Sequence, residues 1–429
     1  MKSAKSIRKL LKSCISDVDS QKNRFCSNSE KDFSRNRKLS FTETVNFILS
    51  MTVHSIPGEL RQYFKHSSKM PTKSAFVQQR HKIAPEAFRT IFDMFTGSID
   101  VKKSFRGYRL LACDGTSLNL PRNPADVSTS VHASPRAESY NILHLNALFD
   151  LLNKVYVDYS VDPGMAVHEA AALEEMAKRL PDPEKTIIVA DRGYGNLPMV
   201  YRLSEIGSGF VLRCKDIYSN SCLSGMNLPD GEFDLDISKI LTRCNRKEFR
   251  CNPAYMVVSG RYHLDFSNNA CYPVFFRVCR FMLPTGNYEC LITSLPRAEF
   301  SVSDLKHIYQ LRWGIETAFR DLKYSIGLMY FHSKQLPSIL QEVHAALIMM
   351  NFCSLIVASI HLKQKHNWKY QHKINFTTAV GYCRSFFSSG ETDVLNLMLR
   401  DQSLVRPNRH YDRYLHDTKP AMPLTYRAF

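Results

Sequence analysis

The chain has 429 residues, and 44% of them are hydrophobic, a content that excludes a mainly disordered protein and allows two or three domains. Lysine and arginine number 57 against 40 aspartate and glutamate residues, which gives a net charge of +17. Such an excess favours a polyanionic partner, with nucleic acid first and an anionic membrane surface second.

The first 104 residues are predicted to form a small helical domain that precedes the rest of the chain. Within it, residues 71–95 contain two helical segments joined near Ile83 and Pro85, and this unit has the size of a DNA-binding helix-turn-helix. A plain helical hairpin is about as consistent with the pattern. Under the helix-turn-helix interpretation, several polar side chains are available for DNA: Lys73, Gln78, Gln79, Arg80 and Lys82.

From Tyr108 onward, short apolar runs separated by turns alternate with amphipathic segments, which predicts a mixed α/β sheet. We place the first part of this core at residues 105–215 and its second part at residues 289–365. Residues 216–288 contain short β-like runs and are predicted to be a β-rich insertion. Residues 366–429 are predicted to form a helical and basic C-terminal tail that could follow a DNA backbone.

Residues 345–362 approach the length of a membrane span, but Asn351 and two serines interrupt them, so a helix buried in the core is favoured. The first 13 residues are basic and lack the apolar segment of a secretory signal. The 12 cysteines form no CxxC pair, and zinc-site spacing is missing. We therefore expect free thiols and a cytoplasmic location without a membrane partner.

Residues 301–330 are predicted to form one long helix that follows the cap-like Ser303. An apolar stripe along it includes Ile315 and Phe319, which are expected in the core. Beside the stripe, four polar side chains lie within about 60° of one another on a helical wheel, and Arg312 and Lys323 among them are expected at the surface. A solvated face with Glu–Lys pairing is the alternative interpretation. The four side chains are Tyr309, Arg312, Glu316 and Lys323.

Asp114 and Asp191 each follow a buried apolar strand and precede a glycine-containing turn. Ligands bind at the carboxyl ends of strands in open α/β sheets, although turn-forming aspartates also cap many strands. Together with Glu316, these carboxylates would repel one another unless a divalent cation joined them, and hard oxygen ligands select Mg²⁺ or Mn²⁺. Two such ions, about 3.5–4 Å apart, can cleave and join phosphodiesters.

Three motifs, in this order, resemble the catalytic signatures of the DDE transposases of bacterial insertion sequences. They are CDGTSL at residues 113–118, ADRGY at residues 190–194 and Tyr309-x₂-Arg312-x₃-Glu316-x₆-Lys323. The last motif is similar to the Tyr-Arg-Glu-Lys signature of the branch that contains the hairpin-forming composite-transposon enzymes, the IS-four family. The likeness covers residues 105–335 and extends more loosely toward residue 35.

The resemblance implies an RNase H-like α/β fold in which Asp114, Asp191 and Glu316 are catalytic and hold two ions of Mg²⁺ or Mn²⁺. The β-rich insertion is expected to handle DNA ends. Trp313 is expected either to stack on a displaced base or to pack locally, and Arg192 and Tyr194 either to contact DNA or to support the site. The DNA-binding residues implied in this way are Tyr309, Arg312, Lys323, Arg192, Tyr194 and Trp313.

These inferences predict a transposase that acts on double-stranded DNA at transposon ends and at the target, as a homodimer in a synaptic complex. Hairpin formation would follow if the pathway of the branch is kept, and the expected location is the bacterial cytoplasm, at the nucleoid. The alternative from a binding class is a catalytically silent, transposase-derived DNA-binding protein. The Tyr-Arg-Glu-Lys helix disfavours a host nuclease on the same fold, and a membrane-surface protein would leave the three acids unexplained.

Overall fold

A computed structural model gives the structure of the protein. It describes residues 3–405, except residues 36, 69, 101, 133, 135–137, 165–167, 259–263, 265–269 and 365–368. The last part of the predicted C-terminal tail, residues 406–429, therefore lies outside the described residues.

The N-terminal part of the described chain is helical. Its two predicted helices at residues 71–95 meet around Ile83 and Pro85. Side chains of Ser3, Ser40 and Thr72 cap the first, second and fourth helices by accepting hydrogen bonds from backbone N–H groups of the first turn. The helices are α1 Ala4–Ser20, α2 Phe41–Ser50, α3 Ile56–Tyr63, α4 Lys73–Arg80 and α5 Glu86–Gly97.

Arg80 is not available for DNA, contrary to the helix-turn-helix interpretation, because it is 1% exposed. Its guanidinium donates to Gln341 Oε1 over 3.1 Å, to Glu342 Oε1 over 3.0 Å and to the backbone oxygen of Ser338 over 2.9 Å. These three acceptors lie on one helix, Leu336–Ser359, near the other end of the chain. Arg80 therefore ties α4 to that helix. A buried arginine keeps its charge only where acceptors surround it in this way.

A mixed sheet forms the centre of the protein. In the described residues its strands are β1 Arg109–Leu120, β2 Ser130–His132, β3 Ser139–Asp150, β4 Val155–Pro163, β5 Thr186–Ala190, β6 Gly209–Cys214, β7 Phe233–Thr242, β8 Tyr255–Val257, β9 Tyr272–Met282 and β10 Tyr288–Thr293. Their order is β2-β3-β1-β5-β6-β10-β9-β7-β8, and β4 pairs with the outer side of β3. β1, β5 and β6 are parallel neighbours, whereas β3 and β4 are antiparallel.

Helices cover both faces of this sheet. The parallel strands β5 and β6 are connected by the helix α7 Leu197–Ile206, as such crossovers require, and the helix α6 Glu169–Lys178 leads from β4 to β5. Alternate residues of β1 belong to different cores: Leu111 packs with α6 and α7, and Leu110 packs with the N-terminal helices on the other face. The sheet is thus buried on both sides, which explains its nearly continuous apolar strands.

The described part of residues 216–288 contains β7, β8 and β9, which extend the central sheet. β9 pairs with β10, which in turn pairs with β6, and β7 follows on the far side of β9. The segment also holds the short helix α8 Lys247–Arg250. Backbone hydrogen bonds join its long strands to β10 and through it to β6, so the segment is fixed relative to the parallel strands of the sheet.

The described chain after β10 is mainly helical. It consists of α9 Val302–Leu311, α10 Trp313–Arg320, α11 Leu336–Ser359, α12 Phe376–Ser389 and α13 Asp393–Arg400, with the hairpin of β11 Gln371–Ile374 and β12 Gln402–Val405. In the described part of the chain, α11 is the one helix long and apolar enough to cross a membrane, and 67% of its most apolar window is buried in the protein. α11 contacts α1, α2 and α5, so the N-terminal helices share one core with it.

Candidate active site

The sheet brings Asp114 and Asp191 next to each other. β1 and β5 are parallel, and Cys113 is paired with Ala190, so the next residue of each chain segment is an aspartate. Asp191 follows β5 directly and its carboxylate accepts a hydrogen bond from the backbone N–H of Arg192 over 2.7 Å. The two predicted aspartates therefore lie at the same end of neighbouring parallel strands, where ligands bind in open α/β sheets.

The predicted turn after Asp114 is wrong. β1 continues to Leu120 because its pairing with β3 runs on, with Gly115 opposite Asn146 and Thr116 opposite Leu145. Only the pairing with β5 stops at Cys113. Asp114 consequently lies within a strand at the point where the sheet opens on one side, and this opening gives its carboxylate access to the surface beyond β5.

The predicted long helix is divided into α9 and α10. Ser301, two residues before the predicted cap, begins α9 through a capping box with Asp304. At Arg312 the helix tightens, because the backbone N–H of Arg312 donates to Tyr309 and that of Ile315 donates to Arg312, each over 3.0 Å. Ile315 is fully buried and Phe319 is 5% exposed, so the apolar stripe docks on the core as predicted.

This helix carries Glu316 to the two aspartates. Arg312 Nη2 donates to Glu316 Oε1 over 2.9 Å, and Arg312 Nη1 lies 3.8 Å from Asp114 Oδ2. The hydroxyl of Tyr309 donates to Asp191 Oδ1 over 3.1 Å. The three predicted acids therefore converge on one side of the sheet, with Arg312 between them.

The expectation that Arg312 lies at the surface is wrong, because Arg312 is 4% exposed. A guanidinium is drawn into a cluster of carboxylates, where opposite charges offset the cost of burial. Tyr309 is also buried, with 5% of its surface exposed, and its hydroxyl donates a hydrogen bond to Asp191. In this arrangement both side chains bind acids of the site.

Lys323 reaches the same site from a turn of π-helix at Asp321–Ser325. Its ammonium donates to Thr116 Oγ1 over 2.6 Å and to the backbone oxygen of Ser117 over 2.8 Å, and it is half-buried. Burial lowers the pKa of Lys323. π-Helical turns are frequent at functional sites; here the turn places the lysine over β1, two and three residues beyond Asp114.

The two aspartates titrate in opposite directions. Burial raises the pKa of Asp114 to about 6, and the charges of Glu316 and Glu169 add to this effect against the opposing Gly115 N–H and Arg312. Burial also acts on Asp191, but hydrogen bonds and nearby cations outweigh it and lower the pKa of Asp191. Asp191 is thus the more firmly ionised of the pair.

The remaining predicted DNA contacts divide by exposure. Arg192 is exposed and Trp313 is 54% exposed, so both side chains can reach a ligand. Tyr194 is 1% exposed and packs in the core between the sheet and the helices α6 and α7, which excludes it from direct contact with DNA in this conformation. Of the two roles considered for Tyr194, only local support of the aspartate loop agrees with its position.

Several side chains at the site escaped the sequence analysis. Arg213 on β6 lies 3.8 Å from Asp191 Oδ1 and 3.3 Å from Glu289 Oε2. Glu169 begins α6, and its charge acts on Asp114. A single arginine in the otherwise apolar strand of residues 209–214 was the one available signal for Arg213. The position of Glu169 depends on how α6 crosses the sheet, which no local pattern contains.

The donor set fits a hard divalent cation in its chemistry, because carboxylate oxygens are what Mg²⁺ and Mn²⁺ prefer. Among the described residues, however, no three acidic, histidine or cysteine side chains are placed so that they could hold one ion together. Arg312 occupies the space between Asp114 and Glu316 instead and acts as a stand-in cation, and its Nε is buried without a hydrogen-bond partner in the described part of the chain. Metal binding at this site therefore requires Arg312 to leave.

Two aspartates of a mixed sheet meet a glutamate from a helix, and an arginine and a lysine lie beside them. This arrangement defines a class of enzymes, those with an acidic triad that act on phosphodiesters. Residues 105–352, more than half of the chain, match the family model described as the transposase DDE domain. The chain belongs to this family, and the predicted relation to DDE transposases is confirmed.

One solved structure that resembles the chain is described as a cryo-EM structure of the piggyBac transposase synaptic complex with hairpin DNA. The likeness has 13% sequence identity and a TM-score of 0.46, and it covers 94% of this chain and 85% of the other. No curated protein matches the chain.

Proposed function

We propose that this protein is the transposase of a bacterial insertion sequence, from the branch with the Tyr-Arg-Glu-Lys signature. It would bind the terminal inverted repeats of its element and catalyse metal-dependent DNA cleavage and strand transfer on an RNase H-like core. The observation that carries the proposal is that Asp114 and Glu316 lie beside the Arg312 guanidinium, whose charge also acts on Asp191. A protein that only binds DNA gains nothing from three acids next to a phosphate backbone.

In this mechanism Asp114, Asp191 and Glu316 would hold the divalent ions, and two ions would match the general mechanism of phosphodiester cleavage. Bound ions would supply Lewis acidity, which activates a water or a 3′-hydroxyl and stabilises the leaving oxygen. Asp191, whose pKa is lowered, provides a carboxylate that stays ionised to lower pH than Asp114. Arg312, once released from the acids, binds a phosphate of the transposon end as a bidentate donor, and Tyr309 and Lys323 support it.

The surface around the site suits DNA. Arg192 and Trp313 are exposed beside the acids, and an exposed aromatic ring can stack on an unpaired base with about 1–3 kcal/mol. The net charge of +17 favours a polyanionic track longer than the site. We propose that a homodimer binds two transposon ends and then target DNA, in the cytoplasm at the nucleoid, without a membrane partner.

Cleavage of end-labelled DNA tests the proposal. Purified protein with Mg²⁺ is expected to nick duplexes that carry the inverted repeats flanking its gene, whereas Asp191→Ala should bind the same ends and cut nothing. Asp182→Asn is the matched control, because Asp182 is exposed near the start of the same strand β5. Denaturing gels separate nicked products from hairpins, so the same assay decides between the hairpin pathway and simple nicking.

The second candidate, a catalytically silent DNA-binding protein, is favoured by one observation. Arg312 neutralises the acids, and no three of them are placed to hold an ion in the described residues. If the wild-type protein binds the repeats but neither nicks nor joins them with Mg²⁺ or Mn²⁺, this second function replaces the first.

A further inference from the structure

Glu169, at the start of α6, lies next to Gly115 in strand β1 and to Gly193 in the loop after β5. Its Oε1 is 2.8 Å from the point where a Cβ on Gly115 would be, and its Oε2 is 3.8 Å from the corresponding point on Gly193. Gly115 directly follows Asp114, and Gly193 is the second residue after Asp191. The two glycines therefore leave room for the Glu169 carboxylate between the two chain segments that carry Asp114 and Asp191.

Two buried polar atoms point into the same space. His144 Nε2 is 2.4 Å, and Asn146 Oδ1 is 2.9 Å, from the Cβ position of Gly115. The His144 side chain is 9% exposed and Asn146 is fully buried, yet neither atom has a hydrogen-bond partner among the described residues. Unpaired buried polar atoms are costly and call for a ligand or water.

The contacts of these side chains fix their orientation. Asn146 Nδ2 donates to Asp162 Oδ2 over 3.0 Å, which turns Oδ1 toward Gly115. His144 Nε2 lies 3.3 Å from Glu169 Oε1, close enough for an ion pair when the ring is protonated. Glu169 is thus held from one side by a histidine, and its side chain is still 38% exposed.

We propose that Glu169 is a fourth acidic residue of the divalent-cation site, which reaches the ions through the gap left by Gly115 and Gly193, with His144 as its positioning residue. This inference rests on the proposed function, because it assumes that Asp114 and Asp191 hold ions. Two hexacoordinate ions need more oxygen ligands than three carboxylates supply, and Mg²⁺ retains water for the rest. A fourth carboxylate and the Asn146 oxygen would bind or orient such ligands.

Terbium luminescence with the full-length protein, in the absence of DNA, tests this inference. Tb³⁺ is a hard cation that reports occupancy, and competition by Mg²⁺ gives the affinity of the natural ion. Glu169→Gln is expected to weaken both affinities by about 10- to 100-fold, as losses around a metal site typically do. Glu169→Asp should recover part of this loss. Glu175→Gln is the matched control, since Glu175 lies on the same helix and contacts Lys178.

A second measurement locates the ion. Fe²⁺ with ascorbate and peroxide releases hydroxyl radicals that cut the backbone beside the bound metal, and cuts are expected near residues 114, 191 and 169 in the wild type. Cuts at the aspartates without one at the start of α6 would overturn the inference, as would an unchanged Tb³⁺ affinity in Glu169→Gln. Wild-type cleavage of DNA alongside either result leaves the proposed function standing. If the wild-type protein neither binds Tb³⁺ nor cuts DNA, both this inference and the proposed function are wrong.

Discussion

Removing the Arg312 guanidinium is expected to strengthen the binding of Mg²⁺ while it weakens catalysis. In the metal-free protein Arg312 donates to Glu316 over 2.9 Å and lies 3.8 Å from Asp114. A hydrogen bond to a charged group contributes about 1.5–3 kcal/mol, and an entering ion has to break it. Since each 1.4 kcal/mol corresponds to about tenfold in affinity, Arg312→Gln should bind Mg²⁺ about 10- to 100-fold more tightly.

DNA cleavage by the same variant should fall, because the released guanidinium is the group that would hold the scissile phosphate. Loss of one preorganised charge contact typically lowers the rate by about 10²–10³. Isothermal titration of Mg²⁺ and single-turnover cleavage, both on the full-length protein, measure the two effects. Arg320→Gln is the control, since Arg320 is exposed on the same helix. An Mg²⁺ affinity in Arg312→Gln that equals or falls below that of the wild type would refute the stand-in role.

Three other changes follow from buried contacts. Arg80→Ala removes one partner of the buried ion pair with Glu342 (3.0 Å). Thermal or urea unfolding should show that the free energy of unfolding falls by about 3–5 kcal/mol. Gly115→Ala places a Cβ 2.4 Å from His144 Nε2, and the free energy of unfolding should fall by about 1–3 kcal/mol. Burial raises the pKa of Asp114 to about 6, so Mg²⁺ affinity, titrated from pH 5 to 8, should weaken as the pH falls through 6 and this carboxyl binds a proton. In the metal-free protein the same raised pKa makes folding take up a proton, so this group's contribution to stability declines as pH rises from about 4 to 6.

Each of these expectations has its own control. Lys82→Ala removes a more exposed ion pair and should cost about 1 kcal/mol or less, so an equal loss in Arg80→Ala would contradict the buried-network argument. Gly231→Ala meets no atom within 4 Å and should leave stability nearly unchanged. In Asp114→Asn the Mg²⁺ affinity should be low and should no longer change with pH near 6; a step that persists there belongs to another group.

The sequence by itself determined the chemistry of the site. Asp114 and Asp191 were predicted because each follows a run of apolar residues, and Glu316 because the helical repeat places it with Tyr309 and Arg312 on one face. The mixed α/β sheet, the helical N-terminal part and the β-rich segment were also predicted from apolar periodicity. These are local properties, since strand and helix periods and residue spacing repeat within a few residues.

Only the tertiary structure decided which polar groups meet. Arg80 and Arg312 were expected at the surface, yet each is buried against acceptors carried by other elements or by the next helical turn. β1 passes through Gly115 because β3, 30 residues along the chain, continues to pair with it. Glu169 lies next to Gly115 and Gly193 only because α6 packs against the sheet at this point. A long charged side chain can extend into solvent or bind an acid. Which of the two it does depends on partners distant in sequence, and local periodicity carries no information about those partners.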